Sequence, residues 1–347
     1  MKKLKFAVIG VSIHGRRHVE GIISNKDSEL VAICDTDEKT LNDVGNIYGI
    51  ENRVKDYREL LDKNLIDAVC IITPDQVHEE MVVAFLNKGI HVLCEKPLAL
   101  HLNECAAMLE AEEKSDAILM VGQVCRKTPG FVKAKEIVDS GIIGELLFVE
   151  SEYAHDYSQM PPHWRTDKEN PRHPVTGGGC HAVDLLRWIA GDPIEAYAYT
   201  NKKSLGDIWP CDDSAIAVLK FPNDVMGKVF VSTGCKRAYT MRTVLYGTKG
   251  TIITDNQSPA LTLYLEEFEG RRELFGAEME QIALSIPVKL ADHNVGAEID
   301  DFIDVVSGKK ELEITGAEGA ATVSVCEAII ASAASGQAEK VQYLHNK

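Results

Sequence analysis

Two stretches of this 347-residue chain set chemically capable residues at informative spacings. In the first, Gly10-Val11-Ser12-Ile13-His14-Gly15 follows an apolar run from Leu4 to Ile9 and opens a predicted helix reaching about Ser24. A second apolar run ends in Asp35, twenty residues after Gly15, with Thr36 next. Glycines at such a turn let the backbone approach a pyrophosphate, the helix N-terminus faces its charge, and the acid binds ribose hydroxyls. The loop from Gly10 to Gly15, with Asp35 and Thr36, is therefore expected to bind a dinucleotide. The Asp35 carboxylate would repel a 2′-phosphate and no arginine follows it, so NAD is favoured over NADP. Ser12 stands at the position of the middle glycine. Its side chain narrows the gap to the phosphates, yet its hydroxyl can donate to a phosphate oxygen, so tolerance is expected.

The second stretch, His91 to Leu100, reads HVLCEKPLAL. Pro97 cannot donate to a sheet ladder, so the chain must leave the sheet there, with Glu95 and Lys96 at the strand tip. Ligands bind at that edge of open parallel sheets, which makes Lys96 a site candidate. The alternative is a solvated lysine in a turn.

Strands and helices must alternate to deliver these residues to one place, and they do over the first 123 residues. Apolar runs ending at Gly10, Asp35, Thr73, Glu95 and Gln123 are separated by helical segments, among them 38–48, 75–88 and 102–114. This predicts an N-terminal doubly wound parallel sheet, a Rossmann domain over 1–124, with those five strand ends on one edge. The remainder, 125–347, reads as an α+β domain with an open, mostly antiparallel sheet. A helix is expected over 129–139, a strand over 145–153, and strands split by turns from 195 to about 265. Between them, 155–176 is a long irregular stretch with Trp164, Arg165, four prolines and three histidines, which favours a binding role. Gly177-Gly178-Gly179 then precedes Cys180-His181 and an amphipathic helix carrying Asp184. Further helices are expected over 294–306 and 317–335.

A net charge of −16 with no basic tract argues against nucleic-acid or anionic-membrane partners. No stretch approaches the roughly 18 apolar residues of a membrane span, and the first apolar run is too short for a signal peptide. Nine cysteines are scattered singly with no CxxC pair, as in a reducing cytoplasm, and no metal site is expected. An open sheet with an uncovered face would need a partner, so a homo-oligomer through the C-terminal sheet is expected.

The glycine loop, Thr73-Pro74 with His78, Glu95-Lys96-Pro97, and His181 with Asp184 after the glycines form a set. Together they resemble the glucose-fructose oxidoreductase, inositol dehydrogenase and rhizopine catabolism family, Gfo/Idh/MocA. YGTKGT at Tyr246 to Thr251 and SGIIGE at Ser140 to Glu145 extend the resemblance over nearly the whole chain. It implies an NAD-dependent oxidoreductase acting on a secondary alcohol of a sugar, cyclitol or related polyol. It also implies that Lys96 and His181 are the catalytic pair and that the peptide before Pro97 is cis. By the same resemblance Thr73, Pro74 and His78 line the cofactor cleft, Glu95 lies near the nicotinamide ribose and Gln123 is a strand-end amide. Arg126, Tyr153, Trp164 and Arg165 are expected on the substrate side or capping the cofactor. The residue types suit the chemistry: histidine can take a hydroxyl proton near neutral pH, and an ammonium stabilises developing alkoxide. One departure stands out. The family often has an aspartate four residues before the histidine, where this chain has Gly177. Asp184 shares a helical face with His181 and is a substitute for it, or a ligand for a substrate hydroxyl. A non-catalytic sensor, and an enzyme using only transient oxidation, are the alternatives.

Overall fold

The apolar runs of the first third become one parallel sheet in the computed structural model, which describes residues 3–62, 64–160, 164–269, 281–291 and 293–344. In chain order the elements are β1 (Leu4–Ile9), α1 (Ile13–Ser24), β2 (Ser28–Cys34), α2 (Glu38–Tyr48), β3 (Arg53–Val54) and β4 (Ala68–Ile71). They continue with α3 (His78–Leu86), β5 (His91–Glu95), α4 (Leu102–Glu113) and β6 (Leu119–Gly122). The sheet order is β3-β2-β1-β4-β5-β6, every pair parallel. Its central strands are buried on both faces, which is why they read as unbroken apolar runs rather than alternating ones. The two-residue β3 adds a sixth strand to the expected five; a strand that short has no period to read. Local signals set the helix ends. Asp37 accepts the Thr40 N–H at the start of α2, and Gly49 stops it at φ 68°, in the left-handed region.

The second part of the chain gives α5 (Pro129–Asp139), β7 (Leu146–Ala154), α6 (Pro174–Gly177), α7 (Cys180–Ala190), β8 (Glu195–Asn201), β9 (Ser214–Lys220) and β10 (Met226–Ser232). After these come β11 (Thr240–Gly247), β12 (Gly250–Asp255), β13 (Ala260–Glu269), β14 (Gln281–Pro287), α8 (Val295–Val306), α9 (Gly316–Ser335) and β15 (Glu339–Lys340). The strands form a nine-stranded sheet, β14-β13-β12-β11-β7-β10-β9-β8-β15. All its pairs are antiparallel except β7 with β10. Strand β9 shows the alternation of a sheet with one face away from the core: Ala215, Ala217 and Leu219 are buried while Ile216 and Val218 are exposed. Tyr199 and Met226 are exposed beside them on β8 and β10.

The chain divides into two units, with a break between Val124 and Cys125. The expected second domain of 125–347 needs correction, because Asn294–Val323 belongs to the first unit, as do Tyr343 and Leu344. Helix α8 packs on α1: a Cβ at Gly21 would lie 3.1 Å from Ile299, and Phe302 meets Phe6 edge-on with centroids 5.9 Å apart. The helical period of this segment was legible, but periodicity does not say which sheet a helix covers. Among the described residues α9 is the one helix long and apolar enough to cross a membrane, and it carries buried core positions such as Val323, Cys326 and Ile329.

Candidate active site

In the first unit the glycines are required by close approach. Gly10 has φ 83°, and a Cβ there would lie 2.3 Å from the Ile72 carbonyl oxygen; one at Gly15 would lie 1.8 Å from the Gly10 oxygen. Ser12 is exposed at the N-cap of α1 and makes no capping hydrogen bond. Asp35 sits against this loop, its Oδ2 accepting the Val11 N–H at 2.9 Å. The loop and its acid are thus joined in the arrangement a dinucleotide needs.

Glu95 ties the lysine-bearing strand to the same loop. It is buried, and its Oε1 accepts from His14 Nε2 at 2.8 Å and His18 Nε2 at 3.1 Å, while Oε2 accepts the Lys96 N–H at 3.0 Å. Burial alone would push the Glu95 carboxyl up, but the His14 charge and the hydrogen bonds from both histidines hold it well below the usual carboxylate range. Burial lowers the His18 imidazole. His18 escaped the sequence reading, although its i+4 spacing from His14 on one helix was a usable signal.

The peptide Lys96-Pro97 is cis, as the resemblance implied. His78 is fully buried and spans two strand-end loops: Nδ1 lies 3.0 Å from the Pro97 oxygen and Nε2 3.2 Å from the Thr73 oxygen. It therefore braces the turn that presents Lys96. Gln123 is buried at the end of β6, and its Oε1 has no hydrogen-bond partner among the described residues. An orphaned acceptor at a strand end is costly unless a ligand supplies the donor.

In the second unit His181 lies in the first turn of α7 and is 1% exposed. The glycines before it let α7 press onto β7 and β10. A Cβ at Gly178 would lie 2.3 Å from the Tyr153 ring, and one at Gly179 2.5 Å from Val231. Tyr153 stacks on His181, centroids 6.2 Å apart and rings 27° from parallel. Its Oη reaches His155 Nδ1 at 3.2 Å and Tyr157 Oη at 2.8 Å. His293 tilts against His181 at 5.4 Å, and Tyr239 Oη lies 3.0 Å from His293 Nε2. His181 Nδ1 is 3.1 Å from Cys125 Sγ. Donor atoms of Cys125, His181 and His293 lie within 4.8 Å of one another, as do those of His14, His18 and Glu95.

Asp184 and Arg126, expected in separate roles, are brought together. Arg126 donates from Nε and Nη2 to the two Asp184 oxygens at 2.8 and 2.7 Å, and both residues are buried. Arg187 lies 3.9 Å from the same carboxylate. Trp164 and Arg165 form a group of their own, with the guanidinium of Arg165 4.1 Å above the indole and that of Arg172 at 5.2 Å. Arg172 is buried, and its guanidinium fills the space a side chain at Gly177 would take, 2.9 Å from the Cβ position. Cys125, His155, Tyr157, Tyr239 and His293 were missed. The spacing of Tyr153, His155 and Tyr157 repeats every two residues, a signal for one face; Tyr239 and His293 come from distant segments and leave no local trace.

Residues 4–123 match the model of the Gfo/Idh/MocA oxidoreductase family, NAD-binding Rossmann fold, and 131–253 match a Gfo/Idh/MocA C-terminal domain. The chain is 30% identical over 288 residues to a myo-inositol 2-dehydrogenase of Thermotoga maritima, covering 78% of this chain and 80% of that one. It is 27% identical to a 1,5-anhydro-D-fructose reductase of Ensifer adhaerens, over 97% of this chain and 98% of that one. Levoglucosan dehydrogenase, solved in complex with NADH, superposes with a TM-score of 0.88 at 22% identity, covering 99% of this chain and 100% of that one.

Proposed function

The chain belongs to the Gfo/Idh/MocA oxidoreductase family, and from that premise we propose that it moves a hydride between NAD and a secondary alcohol or ketone of a sugar, cyclitol or related polyol. The observation that carries this reading is Glu95, which joins the Lys96 strand end to the glycine-loop helix through His14 and His18. Bound NAD supplies the hydride acceptor. The backbone at Gly10 to Gly15 would face its pyrophosphate, and Asp35 would take its ribose hydroxyls. The orphaned Gln123 oxygen is suited to accept a carboxamide N–H. On the substrate, Lys96 stabilises the developing alkoxide and His181 takes the hydroxyl proton, leaving a ketone as the C–H electron pair departs as hydride. Tyr153, stacked on His181, is the substrate-side aromatic best supported by contact. Arg126 and Asp184 serve by holding each other, and Trp164 with Arg165 is assigned a capping role. NAD added to a panel of inositols, aldoses and anhydrosugars, with nicotinamide absorbance and product identity followed together, tests the activity. Reduced cofactor with a ketone product supports it; binding without turnover favours a sensor.

Asp35→Ala is expected to weaken NAD binding at least about tenfold, because a hydrogen bond to a charged group is worth roughly 1.5–3 kcal/mol, and to narrow the gap between NAD and NADP. Fluorescence titration with both cofactors checks this; an unchanged ratio would remove Asp35 from cofactor selection.

A homo-oligomer in the cytoplasm completes the proposal. Exposed Ile216, Val218, Tyr199 and Met226 on neighbouring strands give the second sheet an apolar face suited to a second copy. Light scattering of Ile216→Lys/Val218→Glu should report a smaller species than the wild type, and an unchanged mass would turn the interface elsewhere.

A further inference from the structure

Within the second unit, Cys125, His181 and His293 each bring one sulfur or nitrogen donor, and the three atoms lie within 4.8 Å of one another. Cys125 Sγ is 3.1 Å from His181 Nδ1, and the two imidazole centroids are 5.4 Å apart. Donors on one tetrahedral zinc ion stand about 3.3–3.6 Å apart, given bonds of roughly 2.0–2.3 Å. Small side-chain rotations would bring the trio to that spacing. One thiolate and two imidazoles suit Zn²⁺ and other thiophilic ions, whereas Mg²⁺ and Ca²⁺ take oxygen ligands. Such an ion need not find these atoms idle. It displaces the thiol proton, and its bonds outweigh the hydrogen bonds that thiols and imidazoles exchange. Tyr239 Oη, 3.0 Å from His293 Nε2, is placed to orient that ring, as outer hydrogen bonds do around metal ligands. Cys125 and His181 are buried and His293 is half-buried, which gives an ion access from its side. No spacing motif joins the three, since they come from the turn after β6, the first turn of α7 and the segment before α8.

We propose that Cys125, His181 and His293 form a binding site for Zn²⁺ or a similarly thiophilic divalent cation, and that an ion bound there stops turnover. The second half rests on the reading of His181 as the base. A neutral imidazole has one nitrogen lone pair, its other nitrogen carrying the hydrogen. Whichever ring nitrogen of His181 the ion takes, no lone pair is left for the substrate proton. The metal-free chain is then the active form and the metal-bound chain the silent one.

The test takes the untagged full chain, strips it with chelator and titrates it with Co²⁺, whose bond to a thiolate gives a near-ultraviolet charge-transfer band. One equivalent should develop the band, and Zn²⁺ should displace it. Cys125→Ser should abolish the band. His293→Asn should weaken Co²⁺ and Zn²⁺ at least about a hundredfold, since even the loss of an outer partner of a metal ligand costs roughly 10–100-fold. Serine at the less buried Cys211 and Cys235 should leave the band in place. One equivalent of Zn²⁺ should lower wild-type turnover at least about tenfold, a part of the roughly 10²–10⁴-fold that a placed base contributes. Mg²⁺ should not, and each ligand variant, compared with its own metal-free rate, should resist the same Zn²⁺. A wild type without the band, a band that survives Cys125→Ser, or an affinity unmoved by His293→Asn overturns the site. A band that needs both residues, with turnover undiminished by Zn²⁺, would keep the site and remove His181 as the base.

Discussion

Lys96→Met is expected to lower kcat by about 10²–10³-fold, the cost of removing one donor from a charge that develops during reaction, while NAD affinity stays near that of the wild type. Methionine keeps the length of the side chain and removes its charge. The groups assigned to the cofactor are elsewhere: Asp35 on the Val11 N–H, and Glu95 on His14 and His18, are untouched by the change. The backbone N–H of residue 96, which donates to Glu95, is also retained. Stopped-flow turnover and a cofactor titration on the same preparation separate the two effects. A wild-type rate would remove Lys96 from the chemistry, and a matched loss of NAD binding would make it a cofactor ligand.

The second large effect concerns stability. Asp184→Asn keeps the shape of the side chain but strips the charge from a buried pair, leaving the Arg126 guanidinium, with Arg187 close by, without its carboxylate. Breaking a buried ion pair from one side costs about 3–5 kcal/mol. Urea unfolding should show a loss of that order, with Arg126→Met costing less because Arg187 remains beside the carboxylate. A change below about 1 kcal/mol, the scale of an exposed pair, would mean that solvent reaches the carboxylate. Turnover per folded molecule then decides whether Asp184 also acts on substrate. Full specific activity in the variant confines it to holding Arg126.

Much of this arrangement was legible from the chain alone, and the reasons are local. The glycine loop could be read because Gly10 and Gly15 meet backbone oxygens so closely that no other residue fits. Helices α2 and α5 could be bounded to the residue because their ends carry local signals: Asp37 and Gly49 for one, Pro129 for the other. Parallel strands buried on both faces announce themselves as apolar runs. What stayed hidden depends on residues far apart in sequence. Residues 294–323 return to the first unit, and nothing in their helical period names α1 as the surface they cover. Asp184 shares a helical face with His181, yet its two oxygens belong to Arg126, 58 residues earlier. Cys125 reads as one more small apolar residue until the fold sets it against His181 and Met241. The glycines at 177–179 marked a close approach without naming Tyr153, Val231 and Arg172 as the groups approached.

Hydride transfer is the central claim, and isotopic labelling tests it most directly. The protein is given NAD and inositols or anhydrosugars deuterated at the carbinol carbons, and both products are weighed by mass spectrometry. Ketone and reduced nicotinamide are expected in equal amounts, with the deuterium carried on the nicotinamide. Product formed with no accumulated reduced cofactor, or reduced cofactor lacking deuterium, would contradict it.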